Sequence, residues 1–369
     1  MDFNKEHTKA YSVSDNSILK KRRRSNLELY RIIVMLSIVA HHYVVNSGLF
    51  NMMDKEPTMS VNSLFFYIFG MWVKTGINCF VMITGYFMCT SNITIQKFFK
   101  LALEILFYRI IIYFIFVFSG YMSFDIVEFL KRFILVRNVS HSFTHCFILF
   151  FLCIPFLNII IQHLTQKQHK YLIFFCLFIY SFFGTVPGFL VSMNYVSWFC
   201  VLFFISSYLR LYSFPHKGEA KYWLKASIIS ILLASLSVLA IKFFRLSLPP
   251  YRFVSDSNAI FAVIVAFCTF NLFNNINLPY NKWINWIGGS TFGVFLIHTN
   301  GNIMRQWLWK EAIQCVEHFN TSYYALYAII SVLVIFFVCT LIDRIRILTL
   351  EKWTFDFLDK YIPQWTIKL

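Results

Sequence analysis

The first apolar run of the chain, near 29–47, carries ionisable side chains where a purely lipid-facing segment would have none. Glu28 stands at its edge, and Arg31, His41 and His42 lie within it. An ionisable group in a membrane span is costly enough that it marks either a function or a buried partner. On a helix, the steps from Arg31 to His42 turn through about 1100°, which leaves the two side chains about 20° apart in direction and about 16 Å apart along the axis. By the same count His41 points about 80° away from Arg31. Glu28 lies one turn before Arg31 on its face, placed to hold the guanidinium through an i,i+3 pair. One stripe thus carries a cation at one end and a titratable base at the other. A purely structural reading has Arg31 reaching lipid phosphate and the histidines capping a packed polar pocket.

The elements that must position this stripe are apolar helices. The chain has 369 residues, 58% hydrophobic and only 14% charged, with a mean hydropathy of +0.63. Soluble domains carry roughly 25% charged residues, so the solvent that suits this much apolar surface is lipid. Runs long enough to cross about 30 Å of hydrocarbon fall near 29–47, 64–88, 99–120, 143–163, 171–190, 196–213, 224–244, 258–274, 284–301 and 324–342. The expected fold is an all-α membrane bundle of about ten spans: a basic segment 1–26, a membrane domain 27–347 and a tail 348–369. The run 64–88 is overlong and interrupted by Lys74 and Gly76, and 284–301 is short and glycine-rich.

The net charge of +16 comes from 33 Lys and Arg against 17 Asp and Glu. These basic residues sit between apolar runs, so they read as topology-setting charge facing anionic lipid, and no nucleic acid is expected as a partner. Lys20, Lys21, Arg22, Arg23 and Arg24 start the chain's basic side, followed by Lys97, Lys100, Lys167, Lys170, Arg210, Lys217, Lys221 and Lys225 and by the basic tail. The opposite side is poorer, with Lys55, Lys131, Arg132, Arg137, Arg252, Arg305 and Lys310. Both termini are therefore expected in the cytoplasm. Segment 124–137 has amphipathic spacing and reads as an interfacial helix on the outer side. The nine cysteines lack metal-ligand spacing, and no metal site is expected. Residues 1–26 are polar and the first run lacks a small-residue cleavage site, so that run is expected to stay as the first span.

Five motifs then occur in order. They are Arg31 with ten residues before His42; Ile83-Thr84-Gly85-Tyr86-Phe87; Cys146-Phe147-Ile148 running to Pro155-Phe156-Leu157-Asn158; Ser197-Trp198-Phe199 through Tyr212; and Ser290-Thr291-Phe292-Gly293-Val294-Phe295-Leu296-Ile297-His298. Together they resemble the acyltransferase 3 family over roughly residues 25–310, most closely its branch that modifies exopolysaccharides and surface antigens. Cys146 stands where that family usually has Trp, Thr84 where Ser is common, and Glu28 where Asp is frequent. No appended soluble esterase-like domain is seen, so transfer is expected to be completed by the membrane part or a partner.

The resemblance implies transfer of an acyl group, usually acetyl, from cytoplasmic acyl-CoA to a glycan hydroxyl, with acetyl-CoA as cosubstrate and no tightly bound cofactor. A hydroxyl attacking a thioester needs a base of near-neutral pKa, which suits His42; a transient acyl-imidazole on the same residue is the alternative. Arg31 would orient the donor with Glu28 behind it. Lys97 and Lys100, at the inner mouth of the third span, would meet the phosphates of CoA, unless they are ordinary positive-inside charge. Arg109 lies deep in the same span, five residues after Glu104, and belongs to a polar interior. His298 either binds the acceptor or caps its helix. Trp198 either stacks on sugar or belongs to the interfacial belt. Gly289 and Gly293 allow their helix to approach a neighbour closely. The expected partners are the bilayer of the cell membrane, acyl-CoA, a polysaccharide or lipid-linked glycan, and glycan-synthesis machinery. A glycan or lipid transporter and a membrane glycan polymerase are the rival readings; a transporter has no reason to bind CoA.

Overall fold

The computed structural model describes residues 23–361 apart from 138, 140, 141, 187, 190 and 192. Lys20, Lys21, Arg22 and the last eight residues lie outside the described residues, as do the sequence expectations that fall on them. Among the described residues the chain is helical and has no β-strand. In chain order the helices are α1 (Ser25–Val45), α2 (Leu49–Asp54), α3 (Val61–Phe69), α4 (Val73–Met88), α5 (Ile95–Phe118), α6 (Ile126–Lys131), α7 (Phe143–His163) and α8 (Gln166–Cys176). They continue with α9 (Tyr195–Leu211), α10 (Ala220–Phe243), α11 (Ile260–Asn275), α12 (Lys282–Gly288), α13 (Thr291–His298), α14 (Gly301–Gln306), α15 (Tyr324–Arg346) and α16 (Lys352–Tyr361). Wider π turns extend α8 through Leu177–Phe183, α14 through Trp307–Ala312 and α15 through Ile347–Glu351.

Among the described residues six helices are long and apolar enough to cross a membrane: Ser25–Val45, Val61–Met88, Ile95–Phe118, Phe143–His163, Ala220–Phe243 and Tyr324–Thr354. The other four apolar runs fold as shorter or broken helices. Two of them, α9 and α11, lie deep in the bundle, where Ser206, Ser207 and Asn271 are buried. The outward faces of α10 and α15 are open and apolar, with Leu232, Leu236, Leu333 and Phe337 each about half exposed or more. That is the side-chain pattern of a surface solvated by lipid.

Helix α1 is surrounded. It packs on α2, α3, α4, α11, α12, α13 and α15, so its polar stripe faces protein and not hydrocarbon, the condition under which such groups are tolerated. The expected interruption at Lys74 and Gly76 falls slightly earlier, at Gly70-Met71-Trp72, and its cause is packing. A Cβ on Gly70 would sit 2.8 Å from that of Val44, so only glycine lets α3 end against α1. Breaking the helix frees the Gly70 carbonyl from an intrahelical partner, which matters for the site described next.

A buried amide ties the centre. Asn78 donates to the carbonyls of Ser257 (2.7 Å) and Ala262 (3.2 Å) and accepts from the Trp198 indole at 2.9 Å. The Asn78 amide and the Trp198 indole at this joint between α4, α9 and the start of α11 are thus satisfied, as a dry interior requires. Helix α13 approaches α15 at Gly293, where a side chain would run into Asp343, and Gly289 faces the guanidiniums of Arg23 and Arg344. The amphipathic segment 124–137 is a correction: its helix covers only Ile126–Lys131, capped by the Asp125 carboxylate. Its end tightens into i→i−3 bonds at Phe133 and Ile134, and the Ile134 carbonyl is taken by Arg109.

Candidate active site

At the C-terminal end of α1 the chain forms an open cavity of about 730 Å³. Its wall brings together the end of α1 (His41, His42, Asn46), the start of α4 (Val73, Lys74, Ile77), Arg109 of α5, and the starts of α7 and α9 (Phe143, Tyr195). The turn after α13 (Thr299, Asn300) and Arg305 of α14 close it. Helices α1 and α13 end at the cavity whereas α4, α7 and α9 begin there, so the first two run opposite to the other three.

Backbone carbonyls hold His41 in the cavity wall and His298 behind it, and that fixes their tautomers. A carbonyl oxygen only accepts, so the ring nitrogen facing it carries the proton. His298 Nδ1 donates to Val294 O at 2.6 Å, which leaves Nε2 of a neutral His298 with its lone pair. That lone pair faces His42 Nδ1 at 3.0 Å, so His42 donates through Nδ1, and its own Nε2 is left bare. His298 is fully buried and His42 is partly exposed and lines the cavity. The result is a chain from carbonyl to imidazole to imidazole that aims one unprotonated nitrogen outward. It has the logic by which a carboxylate orients a catalytic histidine, with a second imidazole in the orienting place. His41 is engaged differently: its Nδ1 donates to the Gly70 carbonyl released by the helix break.

The other end of α1 is closed. Arg31 Nη1 donates to Glu28 Oε1 at 3.1 Å, the i,i+3 pair expected from the spacing, and Arg23 approaches the second Glu28 oxygen at 3.7 Å. Glu28 is buried against Gly288, which has no side chain to displace it. Nearby, Arg24 and Arg210 both donate to the Tyr86 hydroxyl, at 3.2 and 3.1 Å, and Arg24 also reaches Asn274. Arg31 and His42 are therefore a turn-matched pair on one helix, about 16 Å apart, and do not meet.

The remaining sequence candidates separate. Arg109 lines the cavity and donates to Ile134 O at 2.9 Å, whereas Glu104 turns to Arg346 at 2.9 Å, in a buried cluster with Asp343, Tyr108 and Glu351. Lys100 pairs with Glu351 of that cluster. Lys97 turns back to its own loop, donating to Asn92 O at 2.7 Å. Both lysines thus stand away from the cavity, bound to partners of their own. Trp198 is a correction: fully buried and spent on Asn78, it offers no face to a sugar and stands in no interfacial belt. Among the described residues no cluster of three or more histidine, cysteine, aspartate or glutamate side chains could hold a metal ion.

From the sequence, His298 either binds the acceptor or caps its helix, and nothing joined it to His42. The signal was present in the spacing of the α13 motif, where Val294 precedes His298 by one helical turn and supplies its carbonyl. The cavity cations Lys131, Arg132, Arg137 and Arg305 were counted only as outer-side charge.

No curated protein and no solved structure matches the chain. A family model described as an acyltransferase domain matches residues 24–344, from the Arg24 anchor before α1 to the end of α15, and so covers both the histidine pair and the closed end of α1. The chain therefore belongs to the acyltransferase 3 family of membrane acyltransferases.

Proposed function

We propose that the chain is a multi-pass enzyme of the cell membrane that moves an acyl group, acetyl by preference, from cytoplasmic acyl-CoA to a hydroxyl of a cell-surface or exported polysaccharide. The observation that carries this reading is the His298–His42 chain at the cavity, which leaves His42 Nε2 free to accept a proton.

In this reading the chain crosses the bilayer ten times, with the four shorter or broken helices completing the circuit and both ends of the described chain on the cytoplasmic side. Support comes from the opposed directions of α1 and α4 at the cavity and from the basic residues collected at the opposite end, Arg23, Arg24, Arg31, Arg210 and Arg344 among them. The donor's phosphates meet Arg31 and its neighbours, where guanidinium forks match phosphate oxygens. The acyl end reaches along α1 toward His42. There the acceptor hydroxyl attacks the thioester carbonyl while His42 Nε2 takes the hydroxyl proton. The C–O bond forms, the C–S bond breaks, and the departing CoA thiolate recovers the proton from His42. The imidazolium formed midway is stabilised by the His298 lone pair at its other nitrogen.

The test is a comparison of surface polysaccharide from wild-type and deletion cells by proton NMR, together with transfer of labelled acetyl from acetyl-CoA by the purified protein. Loss of an O-acetyl signal on deletion, restored by the plasmid-borne gene, is expected. An unchanged acetyl signal together with no transfer in vitro would overturn the assignment.

A further inference from the structure

The walls of the cavity carry far more positive than negative charge. Lys74, Arg109, Lys131, Arg132, Arg137 and Arg305 line it, and Glu128 is its one acidic side chain among the described residues. Glu128 is already matched: Lys131 binds it, and that ammonium holds its carboxyl below the usual carboxylate range. Arg132 and Arg137 act on the same carboxylate from further away, and one carboxylate cannot match six cations. Arg109 donates to a backbone carbonyl, Arg132 lies 5.3 Å over the Tyr113 ring, and Lys74 lies 5.0 Å over the Tyr195 ring and bonds its hydroxyl. Arg305 keeps a buried Nε without a hydrogen-bond partner.

An excess of one sign within low-dielectric walls concentrates counter-charge, and a cation held near the membrane interior without an anion is costly. Both terms are relieved by an anionic ligand. Hydroxyl and amide groups from Ser142, Thr144, Thr299, Asn300 and Asn302 line the same cavity and suit sugar hydroxyls. The phosphates of CoA stand a full pantetheine arm away from its thioester, whereas these cations share one cavity with His42. They are therefore placed for the acceptor and not for the donor.

We infer that the acceptor is an acidic glycan, bearing a carboxylate or phosphate close to the hydroxyl that is acylated, and that Arg109, Arg132 and Arg305 hold that group while His42 takes the proton. The inference rests on the acyl-transfer reading and names its acceptor class.

The experiment uses glycan extracted from cells that lack this chain, in three forms: untreated, carboxyl-reduced with carbodiimide and borohydride, and stripped of phosphate. Each is offered to the purified full-length protein with labelled acetyl-CoA, and its binding is also measured without donor. The expected result is that one of the two treatments raises the acceptor KM at least about tenfold, the scale of one lost charge-assisted hydrogen bond. Which treatment does so identifies the anion. Arg132→Gln with Arg305→Gln raises the KM for untreated glycan by a similar factor and leaves the acetyl-CoA KM within about twofold. Equal use of all three forms would overturn the inference while leaving acyl transfer intact. A double variant that weakens acetyl-CoA instead would also overturn it, by assigning the cations to the donor. Acid-dependent binding with no acetyl transfer to any form would support the anionic ligand and refute the acyl-transfer reading.

Discussion

The two ends of α1 carry the same kind of residue and are built in opposite ways. At its start, Glu28 is buried, its charge is matched by Arg31 and Arg23, and Gly288 closes over it. At its end, His42 borders an open cavity where, among the described residues, six cations face one carboxylate. A closed, matched pair is what stability requires, because a buried charge without its partner is strongly destabilising. An open, unmatched site is what a ligand requires. The motif that spaces Arg31 from His42 therefore joins an anchored end to a reacting end.

The contrast breaks most sharply at His42. His42→Ala is expected to lower glycan acetylation by about 10²- to 10⁴-fold, the usual worth of a general base, with protein abundance near normal. His41→Ala is expected to cost far less, since His41 bonds a backbone carbonyl and stands apart from the relay. Labelled-acetyl transfer by each purified variant, normalised to folded protein, measures both.

A smaller loss is expected at His298. His298→Ala removes the group that orients His42 and should lower kcat by about 10- to 100-fold, as losses of an orienting neighbour do, with both KM values nearly unchanged. A rise confined to the acceptor KM would make His298 a binding residue instead.

At the matched end the expected effects are on folding, through buried Glu28, and on the donor, through Arg31, whose side chain stays 24% exposed. Glu28→Ala leaves Arg31 and Arg23 without their carboxylate and should lower stability by about 1–3 kcal/mol, read as an earlier thermal unfolding in detergent. An unchanged melting curve would mean the pair is dispensable. Arg31→Lys keeps the charge but loses the fork, so it should raise the acyl-CoA KM by about 3- to 10-fold.

The smallest effect belongs to Lys97 and Lys100. Their spacing at the mouth of α5 suggested phosphate binding, yet Lys100 holds Glu351 and Lys97 holds Asn92. The double Gln variant is expected to lower abundance and to leave the acyl-CoA KM within about twofold. A clear rise in that KM would return both to the donor site.

What was legible in the sequence followed from local rules. Helical angle and hydropathy placed the Glu28–Arg31 pair, the stripe of α1 and the all-helical fold, because these depend on neighbours within a few turns. The cavity depends on neighbours far along the chain. Arg109 reaches Ile134 across 25 positions, and His42 reaches His298 across 256. No periodicity reports such a contact. Trp198 was misread for the same reason: its partner Asn78 stands 120 residues away, and an indole whose partner is unseen looks like one free to stack. The short helix α6 shows the remaining weakness, since amphipathic spacing marked a face but not where the backbone turns to serve Arg109.

The relay requires that His42 be held with its proton on Nδ1 and a bare Nε2. Nitrogen-15 NMR of the protein labelled at its histidine rings, with His42 assigned by its loss in His42→Ala, tests this directly. The expected result is a pyrrole-type Nδ1 and a pyridine-type Nε2 for His42 in the neutral state, and a shift toward the Nε2-protonated form in His298→Ala. A wild-type His42 that carries its proton on Nε2 would contradict it.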